Sequence, residues 1–211
     1  MTNMTSLTAY SLIGNSRSAA LVSKHGSIDW CCLPEFHSPA VFSALLDKKR
    51  GGQFRLSPTE KYSSSQLYIT DTNIVETHFT TAGGEVRLTD AFVALREEEK
   101  THNLFPDHEI LRLVECSRGE VSLKMEFEPR HYYGKTAVSL QNHKKMGICF
   151  FWKENTFVLQ STLSEEAIIV SENRAAAQFR LTAGEKALFS FSCSCQAPSV
   201  LPELNKTGWQ R

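Results

Sequence analysis

The 211-residue sequence has no apolar run of the length that a membrane-spanning helix needs, about 20 residues. Its N-terminus, MTNMTSLTAYSLIGNSR, lacks the basic and then apolar regions of a secretory signal, so we expect no export signal there. There is also no excess of charge, because Lys plus Arg number 23 and Asp plus Glu number 23. This balance argues against a nucleic-acid or anionic-membrane protein, since contacts to phosphate need excess Lys and Arg.

The common catalytic and cofactor-binding motifs are missing too. The sequence has no Gly-x-Ser-x-Gly elbow, P-loop, dinucleotide fingerprint or Cys-x2-Cys pair, so we expect no cofactor. One local group of possible metal ligands exists, His102, Asp107, His108 and Glu109, but its spacing matches no common motif. We therefore expect a solvent-exposed loop there rather than a metal site, and the polar run 96–107 supports this interpretation.

Six cysteines are present, at positions 31, 32, 116, 149, 193 and 195. Cys31 and Cys32 are adjacent, and Cys193 and Cys195 fall on one face of a predicted strand, which argues against three disulfides. Together with the missing export signal, this spacing predicts free thiols and a cytoplasmic protein. Cys31 or Cys32 could serve a thiol hydrolase with a histidine, but both lie in an apolar strand, so packing is the favoured interpretation.

What the sequence does contain is apolar–polar alternation with a period of two. It is clearest at 121–128, VSLKMEFE, where every odd position is apolar, and it recurs at 189–196. This pattern predicts half-buried strands with one face in water. With about a dozen such strands and no alternating βαβ rhythm, we predict an all-β fold, a large antiparallel β-sandwich.

Short glycine-containing segments predict the turns between strands. Those expected to close hairpins are His25-Gly26, Ala82–Glu85, Ser117–Glu120 and Ala183–Lys186.

One short helix is predicted near residues 39–47. Ser38 is a suitable N-cap, Pro39 suits the first helical position, and Val41, Phe42, Leu45 and Leu46 would form an apolar face.

The sequence gives only ambiguous evidence for carbohydrate chemistry. Glycoside hydrolysis needs two carboxyl groups on either side of the scissile bond, but spacing alone selects no pair among 23 acidic residues. We therefore assign no catalytic residue. Flat side chains that could stack on sugar rings are Trp30, Tyr132, Tyr133 and Trp152, although each is also a candidate for packing in the core or on a sheet face.

The segment from Asp29 to Pro39 is our candidate for the part nearest a substrate. It begins as a strand, breaks at Pro34, and then carries aromatic and ionisable side chains into the predicted helix. Anchored loops of this kind often hold binding residues. The candidates are Asp29, Trp30, Phe36, His37 and Ser38. The alternative is that the aromatic rings only pin the helix onto the sheet and that Asp29 accepts backbone N–H bonds.

Several blocks of sequence carry a family resemblance. The first comprises LIGNSRSAALV at 12–22, GSIDW at 26–30, LP at 33–34, FHSPAVFSALLD at 36–47 and GG at 51–52. The later ones comprise DTN at 71–73, ET at 76–77, TAGG at 81–84, Asp90, RLVE at 112–115, GEV at 119–121, EPR at 128–130 and YG at 133–134. In this order they resemble the opening of bacterial glycoside hydrolase family 15 proteins, the glucoamylase and trehalase-like group. Two positions differ from that pattern, since the family usually has an acid at His37 and Asp at His25.

The resemblance implies an architecture in which an N-terminal β-sandwich precedes an (α/α)6 barrel. In that family the barrel carries both catalytic glutamates and inverts configuration at an α-glucosidic bond. By this resemblance, residues 1–200 form the sandwich domain, and residues 201–211 begin the linker to an absent C-terminal barrel, the expected partner.

Three functions remain open. The resemblance favours a non-catalytic accessory domain that supports the barrel and shapes its substrate entrance, for starch, maltodextrin or trehalose. A stand-alone carbohydrate-binding β-sandwich and a self-contained hydrolase are the alternatives.

Overall fold

A computed structural model describes residues 6–94, 106 and 108–195. Residues 201–211, His102 and Asp107 therefore lie outside the described residues, as does nearly all of the predicted polar loop. The strands are β1 (Tyr10–Gly14), β2 (Ala19–Ser23), β3 (Ser27–Cys32), β4 (Ala40–Phe42), β5 (Gln53–Pro58), β6 (Tyr62–Tyr68), β7 (Val75–Thr81), β8 (Gly84–Phe92), β9 (His108–Glu128), β10 (Arg130–His131), β11 (Thr136–Ala137), β12 (Gln141–Asn142), β13 (Ile148–Trp152), β14 (Asn155–Ser161), β15 (Ile168–Ser171), β16 (Arg174–Thr182) and β17 (Lys186–Ser194). Short 3-10 helices span Leu7–Ala9, Lys144–Met146 and Glu165–Ala167.

Two antiparallel sheets share the long strand β9. The first sheet has the order β1-β2-β3-β5-β9-β16-β15, with β4 added beside β3. The second has the order β6-β7-β8-β9-β17-β14-β13-β12. A separate ribbon pairs β10 with β11. The predicted all-β fold with a large antiparallel sandwich is therefore confirmed.

Strand β9 passes from one sheet to the other without reversing. Its first half pairs with β8 and β17, and its second half with β5 and β16. Between the halves, Ser117 is an extra residue opposite the step from Glu85 to Val86, and Gly119 has a φ of 70°. The predicted turn at Ser117–Glu120 is therefore wrong. A bulge and a hairpin both use glycine with positive φ, so the local sequence does not distinguish a bend from a reversal.

The Gly-containing segment between β16 and β17 is a second bend. Strands β16 and β17 pair with successive halves of β9 rather than with each other. The N–H of Gly184 donates to the carbonyl of Cys116 at 2.8 Å, which holds the bend against the β9 bulge. The predicted turn at Ala183–Lys186 is present, since the Glu185 N–H donates to the carbonyl of Thr182 at 2.9 Å. The strands that it joins do not pair with each other, so the predicted hairpin is wrong. The hairpins at His25-Gly26 and Ala82–Glu85 are confirmed, since they join the paired strands β2 and β3, and β7 and β8.

The predicted helix at 39–47 is also wrong. Ala40–Phe42 is strand β4, which pairs with Cys31 and Cys32 of β3, and turns follow it. The Ser38 hydroxyl accepts a bond from the Glu35 N–H at 3.1 Å, so it closes the preceding loop instead of capping a helix. Burial of Val41 and Phe42 and pairing with β3 override the local helix signal.

The core between the sheets is dominated by phenylalanine. Rings of Phe54, Phe127 and Phe191 meet with centroids 5.3 Å apart in successive pairs, both edge to face. Phe150 and Phe157 stack at 4.6 Å. These rings come from both sheets, so they join the two layers by packing.

One ion pair lies inside this core. Arg112 of β9 and Asp90 of β8 are both 0% exposed, and the Arg112 Nε donates to the Asp90 Oδ1 at 2.7 Å. The same guanidinium donates to the carbonyl of Gly26, in the turn between β2 and β3, at 2.9 Å and to that of Phe54 in β5, so both acceptors belong to the first-sheet layer. It also lies 4.6 Å above the Phe54 ring. Arg112 therefore ties the sheets together with hydrogen bonds as well as packing.

Candidate functional site

Asp29 lies at a bulge in β3. In the pairing of β2 with β3, Leu21 faces Trp30 and Val22 faces Ile28, so Asp29 is the extra residue. Ile28 and Cys31 are both fully buried although they are three residues apart. Because the bulge adds one residue, the alternation of side chains is interrupted at Asp29 and Trp30, and Ile28 and Cys31 on either side of them both face the core.

A cavity of about 280 Å³ opens beside the Asp29 carboxylate. The Tyr10 hydroxyl donates to the Asp29 Oδ2 at 2.8 Å, and the Ser27 hydroxyl donates to the Oδ1 at 2.5 Å. The carboxylate is therefore held by two hydroxyls. The cavity is lined by Tyr10, Ser23, His25, Ser27, Asp29, Ala44, Lys48, Gln53 and Arg55.

The basic side chains of this cavity affect one another. Burial lowers the pKa of His25, and the nearby Arg55 guanidinium lowers it further. Arg55 also donates to the Tyr62 hydroxyl at 3.2 Å. The cavity is therefore lined by side chains of both charge signs. The sequence interpretation did not include Tyr10 and Arg55 among the candidate site residues, because they come from other strands. The alternation in β5, where Phe54 and Leu56 are buried, was the signal that could have placed Arg55 on the opposite face.

The loop after β3 presents the other candidates to solvent. Phe36 is 60% exposed, and the His37 imidazole lies 3.4 Å from the Glu35 carboxylate with both side chains exposed. The Phe36 N–H donates to the carbonyl of Arg17 at 3.1 Å, which fixes the loop beside the β1–β2 turn.

The five predicted site residues do not form one cluster. The Asp29 cavity includes Tyr10 and Ser23, which pair at the open end of the β1–β2 hairpin, whereas Phe36 and His37 lie beside its closed end. Trp30 instead packs on Tyr133, with ring centroids 5.8 Å apart. The predicted residues therefore lie at three separate places: Asp29 in a cavity, Phe36 and His37 on an exposed loop, and Trp30 in a ring contact with Tyr133.

Other candidate chemistry is used for packing. None of the six cysteines forms a disulfide, and burial raises the pKa values of the Cys31 and Cys32 thiols, which argues against a reactive nucleophile. His108 and Glu109 begin β9 and are buried, so the exposed loop predicted for them is wrong. Within the described ranges, no group of three potential ligands could hold a metal ion, and no helix is long and apolar enough to cross a membrane.

The chain matches a known protein family and is similar in sequence to several trehalases. The family described as "Trehalase-like, N-terminal" matches residues 2–204. A trehalase of Thermoplasma volcanium is 38% identical over 129 residues, covering 60% of this chain and 20% of that protein. A trehalase of Thermoplasma acidophilum is 38% identical over 137 residues, covering 64% and 23%. A trehalase of Mycobacterium tuberculosis is 33% identical over 135 residues, covering 59% and 20%. The matched region is about a fifth of these relatives' length.

Proposed function

Because the chain belongs to the trehalase-like N-terminal family, we propose that it is the non-catalytic accessory domain of an inverting α-glucosidic hydrolase of the trehalase or glucoamylase type. The observation that carries the proposal is the family match over residues 2–204. The curated relatives named above are trehalases, and the match spans only about a fifth of each. The remaining length of such a protein would hold the catalytic machinery.

The proposed partner is a C-terminal (α/α)6 barrel in the same polypeptide, with residues 201–211 as the start of the linker. The α-glucoside or trehalose substrate would bind through that barrel. The carboxylates of Asp90 and Asp29 already have structural partners, since Asp90 pairs with Arg112 and Asp29 accepts hydrogen bonds from two hydroxyls. This agrees with an accessory role rather than a catalytic one. Six cysteines without a disulfide support a reducing, cytoplasmic compartment.

Within this role, the loop carrying Phe36 and His37 is the proposed contribution to the substrate entrance. Both side chains are exposed on a loop whose backbone is anchored to Arg17. Asp29, in contrast, supports the sheet through its bonds to Tyr10 and Ser27.

We expect the 211-residue chain to be hydrolytically inert. Glucose release from maltose, starch and trehalose would be measured at high protein concentration and compared with a heat-killed control. The expected rate equals that of the control, because the acid and base would reside in the barrel. Turnover well above the control that disappears on mutating one Asp or Glu of this chain would instead support a self-contained hydrolase.

The entrance proposal predicts that His37→Ala in the protein containing the barrel lowers kcat/KM by about tenfold, or about 1.4 kcal/mol. Its melting temperature should not change, because the imidazole is exposed. Asp29→Asn is the matched control, since it weakens a buried hydroxyl network and should lower the melting temperature without lowering kcat/KM per folded molecule. If His37→Ala leaves kcat/KM unchanged, the loop has no part in the entrance.

A stand-alone carbohydrate-binding module is the second candidate function. It is favoured by one observation, the convergence of Trp30 and Tyr133 from distant parts of the chain into a ring contact. The reading frame after Arg211 discriminates between the two functions. A helical continuation with paired glutamates supports the accessory domain, and a stop codon supports the stand-alone module.

A further inference from the structure

The tip of the β10–β11 ribbon has an unusual backbone. Tyr132, Tyr133 and Gly134 follow one another with φ values of 49°, 58° and 81°. Glycine adopts this left-handed region readily, but bulky side chains rarely do. Such strain persists where the surrounding structure enforces it, and it is concentrated at functional sites.

The strained backbone is held from several sides. The Lys135 N–H donates to the carbonyl of Tyr132 at 3.2 Å and closes the turn. Gly134 packs so closely on Arg50 that an added Cβ would lie 2.6 Å from the Arg50 carbonyl oxygen. The Arg130 guanidinium anchors the ribbon by donating to the carbonyl of Asn173 at 3.0 Å. The tyrosines are therefore presented by a fixed turn.

Tryptophans from each sheet flank the two tyrosines. Trp30 of the first sheet contacts Tyr133 at 5.8 Å, and Trp152 of the second sheet contacts Tyr132 at 5.5 Å. The His131 ring stacks on Trp152 at 4.3 Å. Tyr132 remains 39% exposed and Tyr133 46% exposed. We call this group, residues 131–134 with Trp30 and Trp152, the aromatic turn.

Two buried nitrogen atoms in the aromatic turn lack a hydrogen-bond partner in the described structure. They are the Nε1 of Trp152 and the Nε2 of His131, whose side chain is only 1% exposed. Burial lowers the pKa of His131 to about 4, so its imidazole is neutral at pH 7. Buried polar atoms normally have partners, and unpartnered ones call for an explanation. In the aromatic turn, the uncharged nitrogens of Trp152 and His131 are therefore buried beside the half-exposed tyrosine rings.

We propose that the aromatic turn binds the pyranose ring of an uncharged sugar. Sugar rings have apolar C–H faces that pack on aromatic rings and hydroxyls that use uncharged donors and acceptors. The half-exposed tyrosine rings supply the first. The indole and imidazole nitrogens, which are buried in the unbound structure, would supply the second when the tyrosine side chains move aside on binding. This site deepens the carbohydrate-binding function named above as the second candidate, on which it rests. It does not require a catalytic barrel, so sugar binding and the accessory role can fail separately.

The test is a titration of the 211-residue chain with methyl α-glucoside and with trehalose, followed by NMR of the indole N–H resonances. Trp→Phe variants assign the signals of Trp30, Trp152 and Trp209. Binding should shift the Trp152 signal. Tyr133→Asn should raise Kd by about tenfold or more, and its melting temperature should hold or rise because Asn accepts the left-handed conformation.

Phe151→Ala is the matched control, because Phe151 is an exposed ring that precedes Trp152 on β13, and its Kd should stay unchanged. Tyr132→Asn provides a second variant should Tyr133→Asn not fold. Absence of any shift at high sugar concentration overturns the proposal, as does binding that survives both tyrosine variants. Loss of association with a downstream catalytic domain in those variants, without sugar binding, would instead assign the surface to domain contact and likewise overturn it.

Discussion

Arg112→Met is expected to destabilise the domain by about 3–5 kcal/mol, because it leaves the buried Asp90 carboxylate without its cation. It also removes the donors to the Gly26 and Phe54 carbonyls, which connect the second sheet to the first. Methionine keeps much of the side-chain volume, so the loss comes from the missing charge pair and hydrogen bonds and not from a cavity. Urea unfolding at pH 7 measures the change, with the m-value as a check on two-state behaviour.

The chain offers a matched control on the same pair of strands. Arg118 and Glu85 also face each other across β8 and β9, at 2.8 Å, but their side chains are 70% and 40% exposed. Arg118→Met should cost only about 0–1 kcal/mol, because water screens and solvates both charges. Combining Arg112→Met with Asp90→Leu should recover the part of the loss that comes from the unpaired carboxylate. Equal costs for the two single arginine variants would contradict the assigned role of the buried pair.

Gly26→Ala is the second substitution with a large expected effect, about 3 kcal/mol or more. Gly26 has a φ of 71°, and an added Cβ would lie 2.1 Å from the carbonyl oxygen of Leu56. The neighbouring backbone would have to move, and the bond from Arg112 to the Gly26 carbonyl would move with it. The change combines conformational strain with a steric clash against the first sheet.

Gly184→Ala separates these two contributions. Gly184 also has a positive φ, 89°, but an added Cβ would meet no atom within 4 Å. Its expected cost is therefore the conformational strain alone, about 1–2 kcal/mol. Both variants would be compared by urea unfolding under identical conditions. A Gly26→Ala cost no larger than that of Gly184→Ala would show that the first sheet yields without penalty.

The sequence predicted strands well where one face is apolar, but it did not predict the path of the chain. The alternation at 121–128 correctly indicated the second half of β9, because period-two burial is a local property. Its glycine signals were ambiguous: Gly26 closes a hairpin, whereas Gly119 lies in a bend that carries β9 into the other sheet. The signal for a helix at 39–47 was overridden by the pairing of β4 with β3.

For the candidate site, the sequence by itself determined which residue types were available, and the resemblance it carries determined the family. It singled out Asp29, Trp30, Tyr132 and Tyr133, and Trp152. Only the tertiary structure decided their grouping, because the bulge at Asp29 changes which face each side chain takes. The contacts of Trp30 with Tyr133 and of Tyr132 with Trp152 join distant segments and both sheets. Such contacts depend on how the sheets pack, which no local pattern encodes.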